Sequence, residues 1–206
     1  MHQTRQEVIT KIPIKRKGSK YVARAASDNS ESVPVVIAIR DLLKLARTSR
    51  EVKGMIHSKS LKLNGKTVKD LNESVKLFSI LEADKKYLLT LLPTGRFSFV
   101  ETKESSRLCK VISRSLFSGN KIQLNLHDGS NVLGSKDIKV GDSIYLDFSS
   151  KVKSHVKLEK GKDCFITLGK YIGHQGKILD LKEKNAKIKF EDKGEAELPL
   201  NSITVQ

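Results

Sequence analysis

Basic side chains recur one helical turn apart in two neighbouring segments of the chain. The first segment carries Arg40, Lys44 and Arg47, and the second carries Arg50, Lys53 and His57. Cations at this spacing lie about 5–6 Å apart on a helix, close to the separation of successive phosphates in a nucleic acid. They could bind a polyanion, or they could form a solvated face balanced by neighbouring acids. Because only Asp41 and Glu51 provide acidic balance there, we favour binding.

Catalytic and metal-binding groups have little support in the sequence. His127 and Asp128 could act as a base and its orienting acid, but adjacent residues in an Asp-Gly turn rarely face each other. The histidines show no metal-ligand spacing, and Cys109 and Cys164 lack a CxxC arrangement. In a reducing cytosol, two such cysteines are most simply small buried hydrophobic residues. We therefore predict no catalytic residue, no metal, no cofactor and no small-molecule substrate.

The composition agrees with a polyanionic partner. Lys and Arg outnumber Asp and Glu by 39 to 23 over 206 residues, which gives a formal net charge of +16. Such a surplus repels itself in the compact state, so nucleic acid is the first partner to consider and an anionic membrane the second. No apolar run approaches the roughly 20 residues of a spanning helix, and no signal-peptide core follows the start. We expect a cytoplasmic nucleic-acid-binding protein without a membrane partner.

Two short helices are expected to carry the basic side chains. Residues 34–48 contain an apolar stripe at helical spacing, formed by Ile39, Leu42, Leu43 and Ala46. This stripe predicts a core-facing helix. Thr48 and Glu51 form a capping-box pattern for a second helix, which must be short because Gly54 weakens it.

A β-hairpin is predicted to follow the helices. Alternation at residues 61–63, the pair Asn64-Gly65 and a return strand from Thr67 are the sequence pattern of a two-residue hairpin turn. A further strand is expected at 78–81. Two helices that lead into a hairpin predict one α/β module over residues 34–84.

Beyond residue 86 the pattern is almost entirely that of short β-strands. They are predicted at 87–92, 97–100, 108–112, 121–126, 131–133, 143–148, 164–168, 176–181, 186–190 and 196–198. Turn signals such as 118–120 and Asp128-Gly129 separate them, and residues 151–154 could form a linker. Strands at this spacing indicate small sandwiches or barrels. The predicted fold is α+β and multi-domain, with a central β-barrel-like domain at 85–152 and a five-stranded barrel at 153–206.

Residues 1–33 are polar and basic. They include the cluster Lys15, Arg16 and Lys17 and too little apolar content for an independent core. We expect an arm that orders on its partner, the alternative being a flexible tail.

Residues 40–68 resemble the S-four-type RNA-binding domain. The resemblance lies in Arg40-Asp41-Leu42-Leu43, Thr48-Ser49-Arg50-Glu51 and Leu63-Asn64-Gly65-Lys66 at the family's separations. In that family two helices and a hairpin grip structured RNA. The resemblance implies an RNA-facing set of Arg40, Arg47, Ser49, Arg50, Lys53, Asn64 and Lys66.

The segment 168–178 is similar to the KOW motif, a hairpin of a small SH3-like barrel. Its glycines, Gly169, Gly173 and Gly176, permit positive φ values and close backbone approach, or they mark bulges and corners. Its basic side chains, Lys170, His174 and Lys177, could contact phosphate.

An S-four-type module, a central β domain and a KOW barrel in this order resemble the small-subunit ribosomal protein family S-four-E. The segment from Ile12 to Lys17 is similar to the family's entry segment, although the family's aromatic residue is missing. The family's Pro-Gly-Pro-His loop is also absent, and residues 26–32 stand in its place. The resemblance implies a structural ribosomal protein that binds ribosomal RNA and neighbouring small-subunit proteins on the cytoplasmic ribosome. With 5% aromatic residues and no Trp, base stacking is expected to be minor.

Two alternatives stay open at the level of sequence. S-four-type domains also accompany RNA-modifying enzymes, but the segment most similar to a synthase motif, residues 94–98, has no carboxylate, and no GxxxxGK[ST] phosphate loop is present. A ribosome assembly or rescue factor would share the same RNA-binding modules. We favour the structural, non-catalytic protein.

Overall fold

Antiparallel β-sheets make up most of the fold, with few helices. The computed structural model describes residues 2–28, 31–117, 121–190 and 194–206. By internal contacts the chain divides into a first unit, Met1–Glu104, and a second unit, Ser105–Gln206. In the described ranges, no helix is long and apolar enough to cross a membrane.

The helices of the first unit are short. They are α1 (Arg5–Ile9), α2 (Val35–Ile37), which continues as a π-helical turn at Ala38–Leu42, and α3 (Ser49–His57). The prediction of one helix over 34–48 is therefore wrong in its second half. Lys44 has a φ of 57°, and a residue in this left-handed conformation commonly follows the end of a helix. The sequence has neither Gly nor Asn, the usual residues at such a position, to mark this end.

The start of α3 agrees with the predicted capping pattern. The Thr48 hydroxyl accepts a hydrogen bond from the Glu51 N–H at 3.3 Å. The Glu51 carboxylate in turn accepts one from the Arg47 N–H at 2.8 Å. These bonds satisfy N–H groups that have no partner within the helix.

The strands of the first unit form antiparallel sheets. They are β1 (His2–Thr4), β2 (Tyr21–Ala23), β3 (Ser32–Pro34), β4 (Lys62–Leu63), β5 (Lys66–Thr67), β6 (Ser74–Lys76), β7 (Ile80–Glu82), β8 (Lys86–Leu91) and β9 (Phe97–Glu101). β1 pairs with β2, β3 pairs with β6, and the larger sheet has the order β5-β4-β7-β8-β9. Asn64 and Gly65 have φ values of 51° and 78°. Two positive values are those of a tight hairpin turn, so the predicted hairpin is confirmed.

The larger sheet runs through the predicted domain boundary between residues 84 and 85. β7 and β8 are neighbours in it, with Ile80 opposite Leu88. Leu89 and Phe97, on β8 and β9, are buried. The predicted boundary therefore falls within one sheet, and the division by contacts follows Glu104 instead.

The segment predicted to be an arm packs within the first unit. Val8, Ile12 and Val22 are buried, and the Lys11 carbonyl accepts a hydrogen bond from the Phe97 N–H at 2.8 Å. The buried residues come from a helix, a loop and a strand. Their common burial therefore has no single periodicity that the sequence could reveal.

The second unit contains two five-stranded antiparallel sheets. Their strands are β10 (Ser106–Phe117), β11 (Lys121–Leu126), β12 (Asn131–Gly134), β13 (Ser143–Asp147), β14 (Val152–Val156), β15 (Asp163–Ile166), β16 (Gln175–Leu181), β17 (Asn185–Phe190), β18 (Gly194–Pro199) and β19 (Ile203–Val205). The orders are β12-β11-β10-β13-β14 and β18-β17-β16-β15-β19. A 3₁₀ turn at Leu200–Ser202 precedes β19. The turn predicted at 118–120 lies outside the described residues.

The linker predicted at residues 151–154 is wrong. Most of this segment belongs to β14, an edge strand that pairs with β13, with Val152 opposite Leu146 and Ser154 opposite Tyr145. An edge strand lies at the surface and has a strand partner on only one side. Many of its side chains face water, so few of them need to be apolar.

Each sheet of the second unit has its own core, and each core contains one cysteine. Cys109 packs with Leu124 and Ile144, and Cys164 packs with Ile178 and Ile188. Both cysteines are free and buried, as predicted. Burial raises the pKa of both thiols to about 12, so neither is poised to ionise near neutral pH.

A buried lysine connects the two sheets of the second unit. Lys110, on β10, donates from Nζ to the carbonyl oxygens of Leu200 and Asn201 at 2.7 and 2.9 Å. Burial lowers the pKa of Lys110 to about 8, because removal from water disfavours the charged ammonium. The two carbonyls partly replace the lost hydration.

Candidate nucleic-acid interface

α3 presents a basic side opposite an apolar one. Val52 and Ile56 are buried, whereas Arg50, Lys53 and His57 are exposed. Within the part of the chain that the structure describes, no ion pair engages Arg50 or Lys53. These side chains can therefore reach an anion in solution without first breaking an internal salt bridge.

Lys44 and Arg47 do not belong to a helical stripe with Arg40. The chain leaves the helix after Leu42, and both side chains are exposed in the connection that leads to α3. The predicted i, i+4, i+7 geometry is therefore wrong for this set. Arg47 instead lies directly before the cap of α3, where its N–H, together with the Thr48 hydroxyl, holds the pKa of Glu51 below its usual value.

Arg40 and Ser49 are engaged with each other. The Arg40 guanidinium donates from Nη1 to the Ser49 hydroxyl at 3.0 Å and from Nη2 to the Asp41 carboxylate at 2.7 Å. This bridge fixes the π-helical turn that follows α2 against the start of α3. Both residues were predicted to face RNA, and both also hold the two helices together.

Of the two hairpin residues predicted to face RNA, Asn64 has internal hydrogen bonds and Lys66 is exposed. The Asn64 side chain accepts a hydrogen bond from the Ile80 N–H at 2.9 Å and donates to the Ser79 hydroxyl at 3.3 Å. Its amide therefore ties the turn to the neighbouring strand. Lys66, on β5, is exposed.

The basic cluster near the start of the chain lies in the loop between α1 and β2. Lys15, Arg16 and Lys17 are all exposed. Arg5 braces this loop by donating from Nη1 to the Lys15 carbonyl and from Nε to the Ser19 carbonyl, both at 2.7 Å. The bracing brings the basic loop into the first unit rather than leaving it as a free arm.

Sequence reasoning missed a group of residues around Arg5. A cleft near Arg5 is also lined by Tyr21 and Arg40, and Lys20 lies over the Tyr21 ring. These residues come from separate elements with no shared periodicity. Only the adjacent Lys20-Tyr21 pair, a cation beside an aromatic residue, was visible as a local signal.

The KOW-like segment connects β15 to β16 and enters β16. Gly169 and Gly173 have φ values of 92° and 76°, and a Cβ on Gly176 would lie 2.8 Å from the Lys189 carbonyl oxygen. The predicted needs for positive φ and close backbone approach are confirmed. Lys170 and Lys177 are exposed.

The ring contacts of the KOW-like segment are internal. The His174 ring lies edge-on to the Phe190 ring at 6.4 Å between centroids. Lys170 Nζ lies 5.9 Å from the Tyr171 ring centroid, and Lys177 forms a long ion pair of 4.0 Å with Asp163. The two lysines remain accessible to an anion.

His127 and Asp128 face different partners, as expected for a turn. Asp128 accepts hydrogen bonds from the Ser130 N–H and hydroxyl and pairs with Arg107 at 2.7 Å. Burial raises the pKa of Asp128, but Arg107 and Ser130 lower it by more, so the carboxylate stays ionised. His127 Nδ1 accepts from the Lys110 N–H at 3.2 Å. Over the described ranges, no group of three or more His, Cys, Asp or Glu residues could hold a metal ion.

Comparison with known proteins places this chain among ribosomal proteins. A profile of the ribosomal family S4e matches residues 83–152. A small ribosomal subunit protein eS4 from Methanocella arvoryzae is 35% identical over 178 residues, which cover 82% of this chain and 76% of the relative. The chain belongs to the ribosomal family S4e. The protein of the same name from Archaeoglobus fulgidus is 35% identical over 189 residues, which cover 88% of this chain and 80% of the relative.

A solved structure agrees with membership of the S4e family. The crystal structure of the 30S ribosomal protein S4e from Thermoplasma acidophilum matches with a TM-score of 0.72 and 27% sequence identity. The match covers 85% of this chain and 95% of that one. The family predicted from the sequence is therefore confirmed. The S-four-type and KOW-like segments, 40–68 and 168–178, lie outside the residues that the S4e profile matches.

Proposed function

We propose that this S4e-family chain is a structural constituent of the small ribosomal subunit, where it binds ribosomal RNA and neighbouring ribosomal proteins. Its place would be the ribosome in the cytoplasm. The observation that carries the proposal is the group of exposed cations at and before α3, together with relatives that are small ribosomal subunit proteins. A protein with this role needs no catalytic group.

The proposal assigns a role to each part of the chain. The S-four-type RNA-binding module would consist of α2, α3 and the hairpin. The strands β8 and β9 would extend the sheet of this module. The sheet β12-β11-β10-β13-β14 would be the central β-barrel-like domain. The last sheet, which the KOW-like segment enters, would be the SH3-like barrel. With these three parts the chain would have an α+β, multi-domain organisation.

Affinity in this proposal comes mainly from phosphate contacts. Arg50 and Lys53 on α3, with Lys44 and Arg47 before it, would contact one stretch of RNA backbone, and Lys15, Arg16, Lys17 and Lys66 would add to it. Phosphate contacts carry little sequence information, so specificity would come from RNA shape. Lys170, His174 and Lys177 would supply a second contact in the other unit.

Replacement of Arg47, Arg50 and Lys53 by Ala tests this placement. We expect weaker binding to a transcript of full-length small-subunit ribosomal RNA, measured by filter binding over a range of KCl concentrations. The slope of log affinity against log salt should fall by about 2–3, since each lost phosphate contact removes about 0.7–1.

A matched control changes the net charge by the same amount elsewhere. Lys85, Lys182 and Lys187 are exposed and each is paired with a glutamate, so their joint replacement by Ala should leave the salt slope nearly unchanged. Equal effects of the two triple variants would mean that total charge, not the α3 surface, determines binding.

Sedimentation separates a structural protein from an assembly or rescue factor. In a cell-lysate gradient at high salt, we expect the chain to remain with the small subunit at about one copy for each subunit. Transfer to the light fractions, or a much lower copy number, would favour the transient factor.

A further inference from the structure

A small polar cleft opens in the first unit between β2, α2 and the start of α3. Its volume is about 270 Å³, and its polar lining comprises Arg5, Ser19, Tyr21, Arg40, Ser49 and Asn72. This volume lies just below the range of about 300–1,000 Å³ that holds drug-sized ligands. The cleft therefore suits one compact polar group rather than a larger apolar molecule.

The cleft carries more positive than negative charge. Arg40 is paired with Asp41, but in the described part of the chain Arg5 has no carboxylate partner. The Arg5 guanidinium is held by the Lys15 carbonyl, the Ser19 carbonyl and the Ser19 hydroxyl. These bonds use three of its five N–H groups, so the remaining donors have a fixed direction. A fixed guanidinium with free donors is well suited to a phosphate oxygen.

An exposed aromatic ring lies at the same place. Tyr21 is 48% exposed, and its ring centroid lies 4.5 Å from that of His2, with the rings inclined by 57°. Lys20 Nζ lies 5.3 Å from the Tyr21 centroid. An aromatic ring kept at the surface beside cations can stack on a nucleic-acid base, and such stacking tolerates any base.

We propose that this cleft binds one unpaired nucleotide of an RNA helix, with its base stacked on Tyr21 and its phosphate held by Arg5 and Arg40. The inference rests on the proposed function, because it takes RNA as the ligand. The base displaces the Lys20 ammonium from its weak, exposed contact with the ring. Lys20 then pairs with an adjacent phosphate. The chain thus reads one irregular feature of RNA shape, although its overall aromatic content is low.

The test compares two RNA duplexes that differ by one nucleotide. One carries a single bulged 2-aminopurine and the other is the same duplex without the bulge, and both are titrated with the full chain by fluorescence anisotropy. We expect the bulged duplex to bind at least about five-fold more tightly, the low end of what one stacked base contributes. Stacking on Tyr21 should also decrease the 2-aminopurine emission.

Variants of Tyr21 identify the ring as the cause. Tyr21→Phe keeps the ring and should keep both the preference and the decrease in emission, whereas Tyr21→Ala should abolish them. Tyr21→Leu fills a similar volume on β2 without an aromatic face, so it gives the same test if Tyr21→Ala does not fold. Arg47→Ala, outside the cleft, should weaken binding to both duplexes equally and leave their ratio unchanged.

The outcomes separate this inference from the proposed function. A preference below about five-fold, or one that survives loss of the Tyr21 ring, overturns the nucleotide cleft while binding of both duplexes still supports an RNA-binding role. No binding to either duplex contradicts the proposed function and the cleft together. AMP also carries one base and one phosphate, so it should remove the preference only at concentrations far above that of the bulged duplex. Removal by AMP at a concentration equal to that of the duplex would make a free nucleotide the ligand instead of RNA.

Discussion

Asp142 is a side chain that joins three separate segments of the second unit. It is 4% exposed, and its carboxylate accepts hydrogen bonds from the N–H groups of Lys139 and Leu158 at 2.8 and 2.9 Å. His155 Nε2 lies 2.7 Å from the same carboxylate. One carboxylate thus fixes the turn before β13, the edge strand β14 and the segment that follows it.

Replacement of Asp142 by Ala should strongly destabilise the second unit. Two part-buried hydrogen bonds would lose their acceptor, and a donor left unsatisfied out of water costs about 1–3 kcal/mol. We expect the free energy of unfolding in urea to fall by about 2–5 kcal/mol. Asp137→Ala, a change of the same type at an exposed position nearby, should alter it by less than about 0.5 kcal/mol. Similar losses in both variants would show that the three contacts contribute little.

Single residues were predictable from sequence where their role is local. The turn at Asn64 and Gly65 and the cap at Thr48 depend on neighbouring residues, and both agree with the structure. The double engagement of Arg40 and the bracing of the basic loop by Arg5 depend on contacts between elements that are distant along the chain. No pattern in the sequence specifies such contacts.

At the scale of elements, the glycines of α3 and β16 have opposite consequences. Gly54 lies in α3, and a Cβ there would meet nothing within 4 Å. Gly176 lies in β16, where a Cβ would be 2.7 Å from Ile188 Cγ2 as well as close to the backbone of β17. The helix would accept a larger residue, whereas the sheet would have to shift.

The same substitution at these two positions should therefore have opposite signs. Gly54→Ala should raise the free energy of unfolding by about 0.5–1 kcal/mol, because Ala loses less backbone entropy in a helix. Gly176→Ala should lower it by about 1–3 kcal/mol through overpacking. Chemical denaturation followed by circular dichroism measures both. Stabilisation by Gly176→Ala would mean that β16 and β17 do not approach each other as closely as described.

Elements were predicted well where periodicity is strong and poorly where the chain bends. Most strands of the second unit lie close to their predicted positions, because alternating apolar residues and turn signals mark them, whereas β14 and β19 were not predicted as strands. The helix predicted over 34–48 ends at Leu42, because Lys44 takes a left-handed conformation. No Gly or Asn at this position indicates the end in the sequence. β14 was mistaken for a linker because an edge strand has few apolar residues.

At the scale of the whole molecule, the sequence predicted the family better than it predicted the divisions of the chain. The charge of +16 and the order of modules indicated an RNA-binding ribosomal protein, and membership of the S4e family agrees. Limits between modules depend on which strands share a sheet. A turn inside one sheet and a connection between two domains have similar sequence patterns. The sequence therefore could not show that β8 pairs with β7 across residues 84 and 85.

Two fragments of the chain can decide where the first unit ends. A fragment of residues 1–104 retains β8 and β9, whose Tyr87, Leu89, Leu91 and Phe97 are buried. A fragment of residues 1–84 loses these side chains and exposes the edge of β7, and each large apolar side chain contributes about 1.5–3 kcal/mol on burial. Because domains are stable by only about 5–15 kcal/mol, we expect 1–104 to unfold cooperatively on heating and 1–84 to show no transition by circular dichroism. Cooperative unfolding of the shorter fragment would restore the boundary at residue 84 and make β8 and β9 part of the next domain.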